Sequence, residues 1–153
     1  MRITRRTGPI VVGGVVLALT LGGCTASDDI SARLENGTVV FVTCQDQEFN
    51  SLRVLTAEKD VKPVKVVERW VATGDTDSAH SGSEFDYGVA PAGTINKLEP
   101  ESLRFKGQVV EFFLEVVRND RSETGAFAQF DGDLLESDRW LNSIRGLTDT
   151  ACE

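Results

Sequence analysis

The chain has 153 residues, with 16 basic and 24 acidic side chains, one histidine and a net charge of −8. That balance excludes a surface built to hold nucleic acid and a polybasic hold on anionic lipid, because both would repel the chain. The length fits one domain of ordinary size with a core of its own.

The first element is a leader. Arg2, Arg5 and Arg6 form a cationic start, and the thirteen residues from Pro9 to Leu21 carry no charge. That run has the length of a signal-peptide core and is too short to cross a bilayer as a helix. Gly13 and Gly14 inside it weaken a helix further. Paired arginines also mark twin-arginine leaders, but the residues that follow do not have that pattern. The run ends in Leu-Gly-Gly-Cys at 21–24, which resembles the lipobox of bacterial lipoproteins. The resemblance implies that the Cys24 sulfur takes a diacylglycerol, that the chain is cut before Cys24, and that the new amino terminus is acylated. The competing reading is a plain secretory leader followed by a chance cysteine. Two acyl chains hold a protein firmly where one does not, since each buried methylene contributes about 0.8 kcal/mol.

The expected organisation is therefore a signal peptide over 1–23, a lipidated cysteine and tether over 24–31, and one β-rich domain over 32–153. The expected address is the extracytoplasmic face of the cell membrane, held by lipid. Loss of 1–23 removes three arginines and no acid, so the net charge becomes −11. The tether 25–31 is small and polar, and seven residues reach about 25 Å at most when fully extended.

Beyond the tether a period of two prevails. Asn36-Gly37 is a hairpin-turn signal before the β-branched run Thr38–Cys44. In 51–57, Leu52, Val54 and Thr56 share one face and Arg53 and Leu55 the other. In 61–74, Val64, Val66, Glu68, Trp70 and Ala72 fall on one side, and Pro63 sets a strand start or an edge. Residues 74–83 read as a polar loop, 84–89 as a short strand, and Pro91 with Gly93 as a tight turn. Residues 107–120 fit a helix stripe or a strand, and β-branched and aromatic content favours the strand. On that reading Trp70, Phe112 and Leu114 are buried together while Glu111 and Glu115 face water. Residues 125–133 give a further strand and a turn. Residues 134–146 read as one or two helical turns or as a strand. The whole predicts a mainly β protein, an antiparallel β-sandwich that is immunoglobulin-like in general architecture.

Two cysteines remain apart from Cys24. An even pair in an exported chain favours a disulfide between Cys44 and Cys152, with two separate thiols as the alternative. No metal site, cofactor or catalytic residue is expected. The nearest approaches to a cation site are Asp75, Asp77 and Asp86 in one acidic stretch and Asp131 and Asp133 in another. The first departs from a calcium loop, since His80 stands where glycine is needed and Asp86 where a bidentate glutamate is needed. His80 beside Ser81 and Ser83 suggests a triad only superficially, because no scaffold is legible that would converge them. Trp70 and Trp140 read as core residues first.

The ordered set Cys44, Ser51–Val54, Trp70, Tyr87–Gly93, Phe127, Phe130, Asp133–Leu135, Trp140 and Cys152 resembles small exported lipoproteins of actinobacteria, most without assigned function. The resemblance implies a compact β-rich domain held by one disulfide and transfers no catalytic residue. The expected function is a non-enzymatic binding domain, anchored to the membrane, with an envelope protein or polymer as partner. The alternatives are a Ca²⁺ or small-ligand binding module and an envelope hydrolase.

Overall fold

The computed structural model describes residues 29–100 and 105–152. Cys24, the leader and most of the tether lie outside them. Among the described residues ten strands follow one another: β1 (Ile30–Glu35), β2 (Thr38–Thr43), β3 (Gln47–Glu58), β4 (Val66–Ala79), β5 (Glu84–Asp86), β6 (Thr94–Leu98), β7 (Gln108–Arg118), β8 (Arg121–Asp131), β9 (Trp140–Asn142) and β10 (Gly146–Thr148), with one 3₁₀ turn at Gly132–Leu134. They form two antiparallel five-stranded sheets, ordered β10-β9-β1-β2-β5 and β6-β4-β3-β7-β8. The protein is a β-sandwich.

The turn chemistry sets the hairpins. Asn36 and Gly37 both have positive φ, 52° and 82°, and Glu35 pairs with Thr38 across them. That is the two-residue turn whose twist matches the strands, and glycine takes its second position without a Cβ penalty. Asn119 and Asp120 repeat the arrangement, with Arg118 paired to Arg121.

The core lies between the sheets. Phe41 of β2 stacks on Phe112 of β7 at 4.3 Å between ring centroids, and Phe85 and Phe130 flank them. Trp70, Leu52, Val54, Val110, Phe112 and Leu114 are fully buried, as the strand reading of 107–120 requires. Trp70 donates its indole N–H to Asn96 Oδ1 at 2.8 Å, which satisfies the one polar atom it takes inside. Strand β2 is apolar on both faces because Trp140 covers Val40 and Val42 on its outer side. Arg33 lies over the Trp140 ring at 4.3 Å.

Several expectations are corrected. Ile30 and Ser31 belong to β1 and are buried, so the tether ends at Asp29 or before. Residues 74–79 are not loop but the end of β4, paired with the start of β3, and only His80–Ser83 turns. Backbone pairing with β3 outweighs their polar side chains. Val64 and Val66 are exposed, not inside with Trp70. The pairing register shifts between Val54 and Leu55, opposite Trp70 and Glu68, so Arg69 is an extra residue and the inside–outside phase changes there. Residues 134–146 resolve into part of the 3₁₀ turn and β9, with β10 following.

Glu115 is the largest departure. It points away from the core as expected, yet only 3% of it is exposed. Arg53 donates from Nε and Nη2 to its two carboxylate oxygens, each at 2.7 Å, and also reaches Glu68 at 3.2 Å. The guanidinium sits over Phe113 as well, at 5.3 Å. A bidentate pair of this kind satisfies a carboxylate removed from water. The Glu115 hydrogen bonds raise the Arg53 pKa above its already high value, against the opposing effect of burial.

Candidate functional site

The sandwich has two distinct ends. Strand β1 starts at Ile30, the first residue after Asp29 in the chain from Cys24. At the same end Cys44 N–H bonds to Asp29 O, and Cys44 is joined to Cys152, with 5.1 Å between Cα atoms. The turn His80–Ser83 is fastened there too, since Gly82 N–H bonds to Thr43 O and Ser81 N–H to Asp46 Oδ1. The chain's entry and its carboxy-terminal residues therefore meet at one end, pinned by the expected disulfide. Strand β3 starts at that end and runs twelve residues away from it, on the order of 35–40 Å.

At the far end the sheets are unequal. Strands β1 and β2 have six residues each, whereas β3, β4 and β7 have twelve, fourteen and eleven. The larger sheet overhangs the smaller, and part of its inner face is left uncovered. The result is a groove of about 490 Å³, lined by Thr56, Glu58, Val61, Lys65, Val67, Arg69 and Gln108. Register explains the set: Thr56 pairs with Val67 on one side and Val110 on the other, and Glu58 pairs with Gln108 in the next inward row. The segment between β3 and β4 supplies Val61 and Lys65.

The groove carries both charges and one unsatisfied acceptor. Arg69 Nε donates to Thr56 Oγ1 at 2.9 Å. Lys65 and Glu58 form no ion pair with a described residue. Gln108 Oε1 is buried and has no hydrogen-bond partner. A buried acceptor left unpaired is unfavourable by about 1–3 kcal/mol. The volume is within the usual range for small-ligand sites.

Charge is mixed at both ends. Lys59, Lys62, Lys65 and Lys106 lie toward the groove end together with Glu35, Glu58, Asp60, Asp131 and Asp133, and Lys97 stands at mid-sheet opposite Val71 and Ala72. Asp29, Asp46, Glu48, Asp77 and Glu84 lie toward the other end together with Arg118 and Arg121.

The acidic residues singled out from sequence are dispersed or occupied. Asp75 and Asp77 lie on β4 and Asp86 at the end of β5, in different sheets, and all three are exposed. Asp131 and Asp133 do come together, about the Lys59 ammonium, which bonds to Asp131 and to Asp133 at 2.7 Å for the latter. Asp133 Oδ1 also accepts from Gly107 N–H at 2.8 Å. Lys59 holds the Asp133 carboxyl below the ordinary carboxylate range, helped by that backbone N–H, and the two aspartates raise the Lys59 pKa. Among the described residues no group of three or more His, Cys, Asp or Glu side chains is placed to hold a metal ion. His80 is 77% exposed in its side chain and has Asp46 Oδ1 at 3.6 Å from Nδ1. Ser83 Oγ accepts from His80 N–H, and Ser81 Oγ donates to Cys44 O, so both hydroxyls brace the turn.

The groove was missed in the sequence because an overhang depends on strand lengths in two different sheets. Its one linear trace is Lys59–Lys65, where lysines at every third position alternate with Val61, Pro63 and Val64. No family model, no curated protein and no solved structure matches this chain.

Proposed function

We propose that the protein is a lipid-anchored binding domain on the extracytoplasmic face of a bacterial cell membrane, which presents the groove end of its sandwich away from the lipid. The Leu-Gly-Gly-Cys sequence at 21–24 supports the anchor, and the Cys44–Cys152 disulfide fits an oxidising compartment. The observation that carries the reading is the placement of the chain's entry. Asp29 lies only five residues after Cys24 and enters the fold at the end opposite the groove. Five residues extended reach about 17 Å, so the disulfide end stays at the bilayer. The far end then stands on the order of 35–40 Å further out. The net charge of −8 gives no polybasic hold on anionic headgroups, which leaves the acyl chains to hold the protein.

The test compares the wild-type chain with Cys24→Ser in cells of the source organism. The wild type partitions into the detergent phase, and a membrane-impermeant amine reagent labels Lys62 and Lys65 on intact cells stripped of outer material. The variant is expected to keep its leader and, by intact mass, to carry no diacylglycerol. A wild-type chain without diacylglycerol, or a variant cut before residue 24 like the wild type, would overturn the anchor.

A further inference from the structure

We propose that the Cys44–Cys152 disulfide is a redox latch: its reduction releases the carboxy-terminal strap Asp149–Cys152 from the outer face of the smaller sheet and leaves both sheets folded. The bond does not tie one sheet to the other. Cys44 directly follows β2, and the strap lies on the outer side of the sheet to which β2 belongs. No described residue beyond Leu147 packs into the core between the sheets.

The face under the strap is not built for water. By register Asn142, Ser31 and Val42 form one outward row, and Val40 stands in the next, opposite Arg33. All four are buried, although the outward face of an antiparallel sheet is ordinarily solvated. Ala151 is what packs there, against Val40, Val42 and Trp140. Its carbonyl accepts from Ser31 Oγ and lies 3.3 Å from Cys44 Sγ. Apart from the disulfide the strap's hold is light. Strand β10 ends at Thr148, so the strap extends no strand. Asp149 has Arg139 Nε at 3.6 Å, but its side chain is 93% exposed, and an exposed pair contributes little.

Cys152 is exposed and Cys44 half-buried, so a reductant meets Cys152 first. A thiolate of a dithiol attacks Cys152 Sγ, breaks the S–S bond and expels the Cys44 thiolate, which takes up a proton. The second thiolate of the dithiol then attacks the mixed disulfide and expels Cys152, which is protonated in turn. The dithiol leaves as a disulfide, and two electrons and two protons have reached the cysteines. The strap is then free to leave, and Ser31, Val40 and Val42 meet solvent.

The experiment records NMR spectra of the lipidated chain in detergent micelles before and after dithiothreitol. Reduction is expected to speed amide exchange in Ala151 and Cys152 about tenfold or more, and to shift the Val40 and Val42 methyls and the Trp140 indole N–H. The Trp70 indole N–H, bonded to Asn96, should stay where it is. Carboxypeptidase should trim the reduced chain past Cys152 and the oxidised chain not beyond it. Cys152→Ser should give the reduced spectrum without reductant. Loss of the Trp70 signal together with the strap, on reduction or in Cys152→Ser, would overturn the proposal, because the bond would then hold the whole fold. Unmoved Val40 and Val42 signals, or equal trimming of the two forms, would overturn it as well.

Discussion

The Arg53–Glu115 pair offers the sharpest test of how the outer face of the larger sheet is held. Replacing Arg53 with Met keeps an unbranched apolar stem over Phe113 and removes the guanidinium. Glu115, 3% exposed, then loses two charge-assisted hydrogen bonds of 2.7 Å. Breaking a fully buried pair from one side costs about 3–5 kcal/mol. The Arg53 side chain is 31% exposed, so water reaches the orphaned carboxylate in part. The expected loss is therefore nearer about 2–3 kcal/mol. Removing both charges, as Arg53→Met with Glu115→Leu, should return stability to within about 1 kcal/mol of wild type, because no buried charge is then left alone. Urea unfolding followed by the fluorescence of buried Trp70 measures all four corners of the cycle at pH 7. If Arg53→Met alone lies within about 0.5 kcal/mol of wild type, the carboxylate does not depend on its partner and the reasoning fails.

Three further outcomes follow from the core, the disulfide and the Lys59 clasp. Phe112→Ala should lower stability by about 3–5 kcal/mol, since its ring is fully buried against Phe41, whereas Phe113→Ala on the half-covered outer face should lose clearly less; a larger loss at Phe113 would contradict the strand phase. Cys152→Ser opens a link across 108 residues and should reduce unfolding free energy by about 2–5 kcal/mol in non-reducing urea titration, and no change would mean that the pair is not formed. The folded-state Asp133 carboxyl is depressed, so its contribution is present above its unfolded value of about 3.9 and is lost as pH falls through the lower folded value. The difference between wild type and Asp133→Asn should thus be constant near neutrality and shrink below about pH 4. A difference that persists unchanged into strong acid would exclude the Lys59 clasp as its source.

Strands with one clean apolar face were legible from sequence. Thr38–Cys44, the 51–57 stretch and 125–133 read as strands, β-branched and aromatic content decided for the strand over the helix stripe that 107–120 also fits, and the structure uses these segments in the two inner walls. What escaped depends on partners distant in the chain. Strand β1 has few apolar residues and is buried because β2 and β9 flank it. The end of β4 is polar and extended because β3 pairs with it. The phase error at Val64 and Val66 comes from the extra residue at Arg69, which no local pattern announces. Glu115 reads as a solvated acid until Arg53, 62 positions away, is seen to clasp it. The groove was the least legible feature, since its walls are ordinary strand ends exposed by a length mismatch between sheets. The cysteine pairing was legible because only two cysteines stand apart from Cys24, which leaves one pairing between them.

The central claim is that Cys24 becomes the lipidated first residue of the mature protein. Intact mass spectrometry of the chain purified from membranes of its own cells tests it directly. The account predicts a mass that begins at Cys24, carries a diacylglycerol on its sulfur, and falls by two hydrogens relative to the reduced form because Cys44 and Cys152 are joined. A chain that starts at any other residue, or one that starts at Cys24 with no lipid, would contradict it.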